Sequence, residues 1–145
     1  MIEGVQIEKL KIIEDTRGKV MHMLRSDSPH FTTFGEIYFS TVNFNTVKAW
    51  KKHLKMIQCF AVPAGKVKLV IYDDREASST KGKLCEIETG EANYCLVKIP
   101  PLVWYGFKGL STAPALIANC ASLPHDPEEI KNTDPFDTAI PYIWK

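Results

Sequence analysis

The sequence predicts an all-β fold, a small barrel or sandwich, and three observations carry that reading. Short runs of β-branched and aromatic residues follow one another along nearly the whole chain. Turn-forming groups such as Arg17-Gly18, Pro63-Ala64-Gly65 and Thr89-Gly90-Glu91 separate them. Hardly any segment repeats its apolar residues with a helical period. Many short strands with regular turn signals bury their apolar faces in two packed sheets or a closed barrel.

The runs that read as strands are residues 5–13, 19–24, 34–43, 46–50, 57–62, 67–72, 83–88, 94–99, 104–107 and 115–121. The first two flank Arg17-Gly18, and the fifth and sixth flank Pro63-Ala64-Gly65. In the sixth, Val67, Leu69 and Ile71 share one face while Lys66 and Lys68 share the other, as in a half-buried antiparallel strand. Ser78-Ser79-Thr80-Lys81-Gly82 reads as an exposed hairpin or loop. The one helix candidate is short and near the C-terminus, at residues 126–131: Asp126 caps it, Pro127 takes the first helical position, and Glu128 and Glu129 lie in the first turn.

A chain of 145 residues is long enough for one domain with a real core, so residues 1–145 are expected to form a single domain. Eighteen Lys and Arg against 17 Asp and Glu leave a net charge of +1, which argues against nucleic acid or an acidic membrane as partner. Any anion must therefore be held by local cations. The start of the chain lacks the basic and apolar pattern of a secretory signal, and no run is long and apolar enough to span a membrane. A cytoplasmic protein is expected. Cys59, Cys85, Cys95 and Cys120 stand singly in apolar runs, as reduced, buried cysteines do.

Several segments, in order, resemble the dTDP-4-dehydrorhamnose 3,5-epimerase family. Asp15-Thr16-Arg17-Gly18 is similar to its Asp-x-Arg-Gly turn, and Phe34-Gly35-Glu36-Ile37-Tyr38 to the segment that follows. Val47-Lys48-Ala49-Trp50-Lys51-Lys52-His53 occupies the place of its Val-x-Arg-Gly-Leu-His-Tyr-Gln strand. Gly65 through Arg75, and Ile99 through Phe107 with its Tyr105-Gly106-Phe107, resemble two further motifs. Asn132-Thr133-Asp134-Pro135 and Ala139-Ile140 resemble the closing ones, so the likeness spans residues 15–145. It implies a cupin-type double-stranded β-helix, a jelly-roll barrel, enclosing one small ligand.

The resemblance also implies the site. Lys51 stands where the family has its catalytic His, Tyr105 where it has a later His, and Asp134 where it has the carboxylate beside the catalytic His. The region around Ala121 and Ser122 lacks the tyrosine that the family uses as general acid. Related dTDP-sugar 3,4-ketoisomerases carry an Arg-Gly-x-His-x-His strand whose second His coincides with His53. Two residues beyond Lys51, His53 shares its face of the strand, and with a reference pKa of about 6.5 it is the best acid/base candidate. Lys51, with a reference value of about 10.4, fits an electrophile or anion binder better than a base. Arg17 and Lys48 stand where the family grips the nucleotide diphosphate, the Arg as a fork and the Lys as a point charge. His22 lies near a substrate-contacting Glu of the epimerases, and Trp50, with Trp104, Tyr105 and Phe107, offers a stacking wall or simply core.

Metal-binding cupins need a His-x-His pair, a Glu and a late His; only His53 is present, so no metal is expected. No phosphate loop or serine elbow suggests a dinucleotide cofactor or hydrolase chemistry. The resemblance thus implies a cofactor-free homodimer that binds a nucleotide-diphosphate sugar, with the N-terminal region exchanged across the dimer. The activity implied is an epimerase or isomerase acting on a nucleotide-linked 4-keto-6-deoxysugar for surface polysaccharide. The alternatives are a non-catalytic sugar-nucleotide binding or regulatory protein and a dTDP-sugar 3,4-ketoisomerase.

Overall fold

The computed structural model describes every residue from Met1 to Lys145. In chain order the strands are β1 (Gln6–Lys9), β2 (Ile12–Asp15), β3 (Gly18–Met21), β4 (Glu36–Val42), β5 (Val47–His53), β6 (Gln58–Ala64), β7 (Lys66–Tyr72), β8 (Leu84–Gly90), β9 (Cys95–Ile99), β10 (Trp104–Gly109), β11 (Ala115–Ala121) and β12 (Ile130–Asn132). One sheet has the order β1-β9-β6-β11-β4 and the other β12-β5-β10-β7-β8, while β2 pairs only with β3. No helix is long and apolar enough to cross a membrane.

Alternation along the strands explains the layering. Phe60 and Val62 of β6, Val97 and Ile99 of β9 and Ile117 of β11 face Val67, Leu69 and Ile71 of β7 across the space between the sheets. Each such fully buried side chain contributes about 1.5–3 kcal/mol. A second layer lies outside the β12-β5-β10-β7-β8 sheet. There the C-terminal residues Ile140, Tyr142 and Trp144 pack over Trp50 and Val70, with the Trp50 and Trp144 rings 5.1 Å apart. Gly106 makes this three-layer contact possible, since a Cβ there would sit 2.4 Å from the Ala49 Cβ and 3.0 Å from the Trp144 ring.

Two features of the expected fold are corrected. The barrel is not closed: two separate five-stranded sheets face each other, with no ladder joining their edges. The expected helix near the C-terminus is only a 3-10 turn over Pro127–Glu129. Its start signals are real, for Asp126 accepts the Glu128 N–H at 3.0 Å. The turn stops because Ile130 pairs with His53, Lys131 with Lys52 and Asn132 with Lys51, so the backbone is claimed by a ladder. The run at residues 5–13 also divides. Gln6–Lys9 joins β9, and Ile12–Asp15 leaves the sheet to form a projecting hairpin with β3.

Candidate functional site

Two adjoining hollows open between the sheets, of about 280 Å³ and about 180 Å³, and Tyr38 and Lys51 line both. On β5 the two-residue period sends Lys51 and His53 inward and Lys52 outward, where its Nζ meets Asp74 at 2.5 Å and lies over the Trp104 ring. Lys48, three residues before Lys51, would face outward on a regular strand. It lines the larger hollow instead, because the β5–β10 register shifts: Tyr105 lies opposite Lys51, and Phe107 opposite Lys48. The bulge thereby puts Lys48 beside Lys51 in the larger hollow, while Lys51 and His53 share the smaller one.

His53 is 4% exposed, and its Nδ1 is hydrogen-bonded to Oε1 of Glu129, itself 5% exposed. The other carboxylate oxygen accepts the backbone N–H groups of Lys55 and Met56, each at 3.2 Å. Burial pushes the Glu129 pKa up, but the His53 bond and those two N–H bonds outweigh it and hold the carboxyl below its ordinary value. Glu129 is therefore a carboxylate, which only accepts, so the proton on a neutral His53 sits on Nδ1 and Nε2 carries the lone pair. The Tyr105 hydroxyl lies 3.4 Å from that Nε2. Burial pushes the Tyr105 phenol far above its usual range, so it stays neutral. Across the cavity, the Tyr38 hydroxyl accepts an N–H from Asn119 at 2.8 Å. An imidazole lone pair, a phenol and an ammonium group thus share one pocket, the set needed to move a proton at a carbon beside a carbonyl. No three His, Cys, Asp or Glu side chains converge as a metal site requires.

No family model matches the chain. A dTDP sugar isomerase from Desulfovibrio desulfuricans G20 superposes with a TM-score of 0.96 at 48% identity, over 99% of this chain and 92% of that one. The probable low-salt glycan biosynthesis epimerase Agl13 of Haloferax volcanii is 35% identical over 143 residues, 97% of this chain and 88% of its own length. The spore coat polysaccharide biosynthesis protein SpsL of Bacillus subtilis is 32% identical over 129 residues, 89% of this chain and 85% of its own length. The chain belongs to the dTDP-sugar epimerase family. Its cupin-type jelly roll is the open, two-sheet arrangement described above.

The structure gathers some of the residues that the family likeness singles out and leaves others apart. Lys48, Lys51 and Tyr105 line the larger hollow, and Lys51 and His53 the smaller. Asp134 lines neither, and its carboxylate accepts the N–H of Phe136 at 2.8 Å. Trp50 touches the larger hollow, but the residue is only 1% exposed, and its ring packs under Tyr142 and Trp144 and donates to the Pro135 carbonyl at 3.3 Å. Arg17 lies at the tip of the β2–β3 hairpin, ion-paired with Asp15 at 2.6 Å and 88% exposed. His22 lines a separate surface cleft with Lys9, Lys11 and Arg25.

Glu129 and Tyr38 emerge only from the structure. The acids after Pro127 read as helix-start charges, although the Ile130-Lys131-Asn132 alternation that follows was the trace of a strand. For Tyr38 the signal was parity: Glu36, Tyr38 and Ser40 alternate with Ile37 and Phe39, a polar face turned inward and an apolar one turned out.

Proposed function

We propose that this protein is an epimerase or isomerase acting on a nucleotide-linked 4-keto-6-deoxysugar in surface-polysaccharide biosynthesis. The observation that carries the reading is the Glu129–His53 pair, whose unprotonated Nε2, 3.4 Å from the Tyr105 hydroxyl, belongs to a histidine lining the same hollow as the Tyr38 phenol and the Lys51 ammonium. In this reading His53 Nε2 takes the proton on the carbon next to the keto group, the C–H electron pair becomes the enolate double bond, and the carbonyl electrons move to oxygen. Lys51 stabilises that oxygen, and Tyr38 returns a proton to the carbon from the other side of the sugar. These steps need no metal and no redox cofactor. Lys48 serves the diphosphate as a local cation in a chain of net charge +1. The dTDP-sugar isomerase relative supports a dTDP-linked substrate, and the glycan and spore-coat relatives support the pathway.

A homodimer is part of the proposal. The β2–β3 hairpin has no neighbour in its own chain's sheets, its Ile13 and Val20 are exposed, and β4 is an unpaired edge with Ile37 and Phe39 outward. A second copy covers these surfaces and lets Arg17 reach a neighbouring cavity.

The 48% identity to a dTDP sugar isomerase favours a second reading, 3,4-ketoisomerisation, in which His53 carries the proton from one carbon to the next. One experiment separates the readings. Incubation with dTDP-4-keto-6-deoxyglucose in deuterated water, followed by NMR, reports deuterium at C3 or C5 with inversion for an epimerase, and a shifted carbonyl for a ketoisomerase. Binding without deuterium uptake into any keto-sugar would leave a non-catalytic sugar-nucleotide protein.

A further inference from the structure

Asn119, in the middle of β11, has no exposure to solvent. It lies opposite Tyr38 on β4, and its Nδ2 donates to the Tyr38 oxygen at 2.8 Å and to Gln58 Oε1 at 3.2 Å. Its own Oδ1 is buried without a hydrogen-bond partner. A buried amide is normally satisfied at both ends, so this orphan oxygen calls for a reason. Turning the amide over would give Oδ1 the Tyr38 hydrogen, but it would also set Oδ1 against the Gln58 oxygen. The Gln58 amide also lowers the pKa of the neighbouring Tyr105 phenol, the direction expected of an N–H turned towards that oxygen, and this agrees with its Oε1 facing Asn119. Asn119 therefore donates both hydrogens of its NH2, one to Tyr38 and the other to Gln58 Oε1, and its own Oδ1 is left over. A phenol that accepts from the protein keeps its single hydrogen for something else, and Tyr38 lines both hollows.

We propose that Asn119 is a positioning residue that holds the Tyr38 O–H towards the substrate as the proton donor. The inference rests on the proton-transfer reading above. In the step concerned the Tyr38 O–H bond breaks, the enolate electron pair forms the new C–H bond, and the carbonyl re-forms. The phenolate left behind is held by the Asn119 N–H. The charged and titratable groups around it are Lys51, His53 and His125 in the same pocket, with Glu36 and Glu129 as the acidic neighbours. Burial raises the Tyr38 pKa, and the Asn119 bond pulls it part of the way back, the direction that a donor to the phenolate produces.

The test combines a measurement that needs no substrate with one that does. In protein labelled with 13C at the tyrosine ζ carbon, Asn119→Leu and Asn119→Asp should both raise the Tyr38 titration midpoint. An unchanged or lowered midpoint in both overturns the proposal, because the amide would then be accepting. With the keto-sugar in deuterated water, Asn119→Asp should lower inverted product by about 10²-fold, the smaller end of what a general acid contributes. Deuterium uptake that depends on His53 should persist, with KM moved by less than about threefold, since base and binding are intact. Tyr38→Phe, at a half-buried position where folding is not at stake, should give the same split of exchange without inversion, and the double variant should be no worse. Full inversion by Tyr38→Phe, or losses that multiply, would sink the idea. Wild type that exchanges no keto-sugar sinks the function proposed above, while the titration still decides the direction of the hydrogen bond.

Discussion

His53 and Glu129 are hydrogen-bonded in the floor of the cavity although 76 residues separate them in the chain, one at the end of β5 and the other just before β12. The carboxylate fixes which imidazole nitrogen carries the proton. Glu129→Gln keeps the shape and can still accept from His53, but its NH2 then faces the N–H groups of both Lys55 and Met56. We expect a loss of about 1–3 kcal/mol of stability for the unsatisfied groups, read from denaturant unfolding. We expect kcat to fall by about 10²–10⁴, with the larger figure that of a carboxylate-to-amide change in a serine-protease triad. A variant with full activity would remove Glu129 from the mechanism.

Stability should fall on the acid side, and two buried carboxylates set where. Burial raises the pKa of Asp73, but the bonds from Arg75, Ser78 and Thr80 outweigh it and hold the carboxyl far below its ordinary value; Glu129 is likewise depressed. A depressed carboxylate contributes stability that is complete above its unfolded pKa, about 3.9 for Asp and 4.3 for Glu, and is lost as pH falls through the folded value. Melting temperature should therefore be flat near neutrality and drop below about pH 4.5. Asp73→Asn strands Arg75 and should lower stability by about 2–4 kcal/mol at pH 7. It should also flatten the acid slope below about pH 4; an unchanged slope would contradict the assignment.

His53 rather than Lys51 should carry the proton. His53 has its base nitrogen set by Glu129, whereas Lys51 is an exposed cation with no carboxylate partner among the ion pairs. His53→Asn should abolish deuterium exchange with substrate affinity nearly intact, by calorimetry. Lys51→Arg keeps the charge and should retain part of kcat. The reverse pattern would make Lys51 the base.

The strands were legible because period-two alternation is local: Val67, Leu69 and Ile71 face the core as their spacing requires. His53 was legible for the same reason, as a neighbour on the face of Lys51. What escaped the sequence depends on pairing between distant segments. The capping signals at Asp126 and Pro127 were sound, and the ladder from Ile130 to His53 overrode them. The family place of the catalytic carboxylate pointed to Asp134, while the side chain that meets a histidine is Glu129, five residues earlier. Lys48 and Lys51 should lie on opposite faces by parity, and only the β-bulge opposite Tyr105 and Phe107 brings them together.

Arg17 provides the last prediction, because its position makes two arrangements exclusive. It stands on a hairpin that joins neither sheet, with its side chain 88% exposed, and lines no part of the cavity that holds His53. If it serves a nucleotide diphosphate, it does so in the cavity of a second copy. Arg17→Ala and His53→Asn should each be nearly inactive alone. Chains carrying one change each, unfolded together and refolded as a mixture, then form mixed dimers in which one site combines an intact His53 with an intact Arg17. Random pairing makes half the dimers mixed with one good site in two, so about a quarter of wild-type activity should return. Action within one chain leaves a defect in every site and returns none. Light scattering that finds a monomer of 16.4 kDa at all concentrations would exclude the shared site altogether.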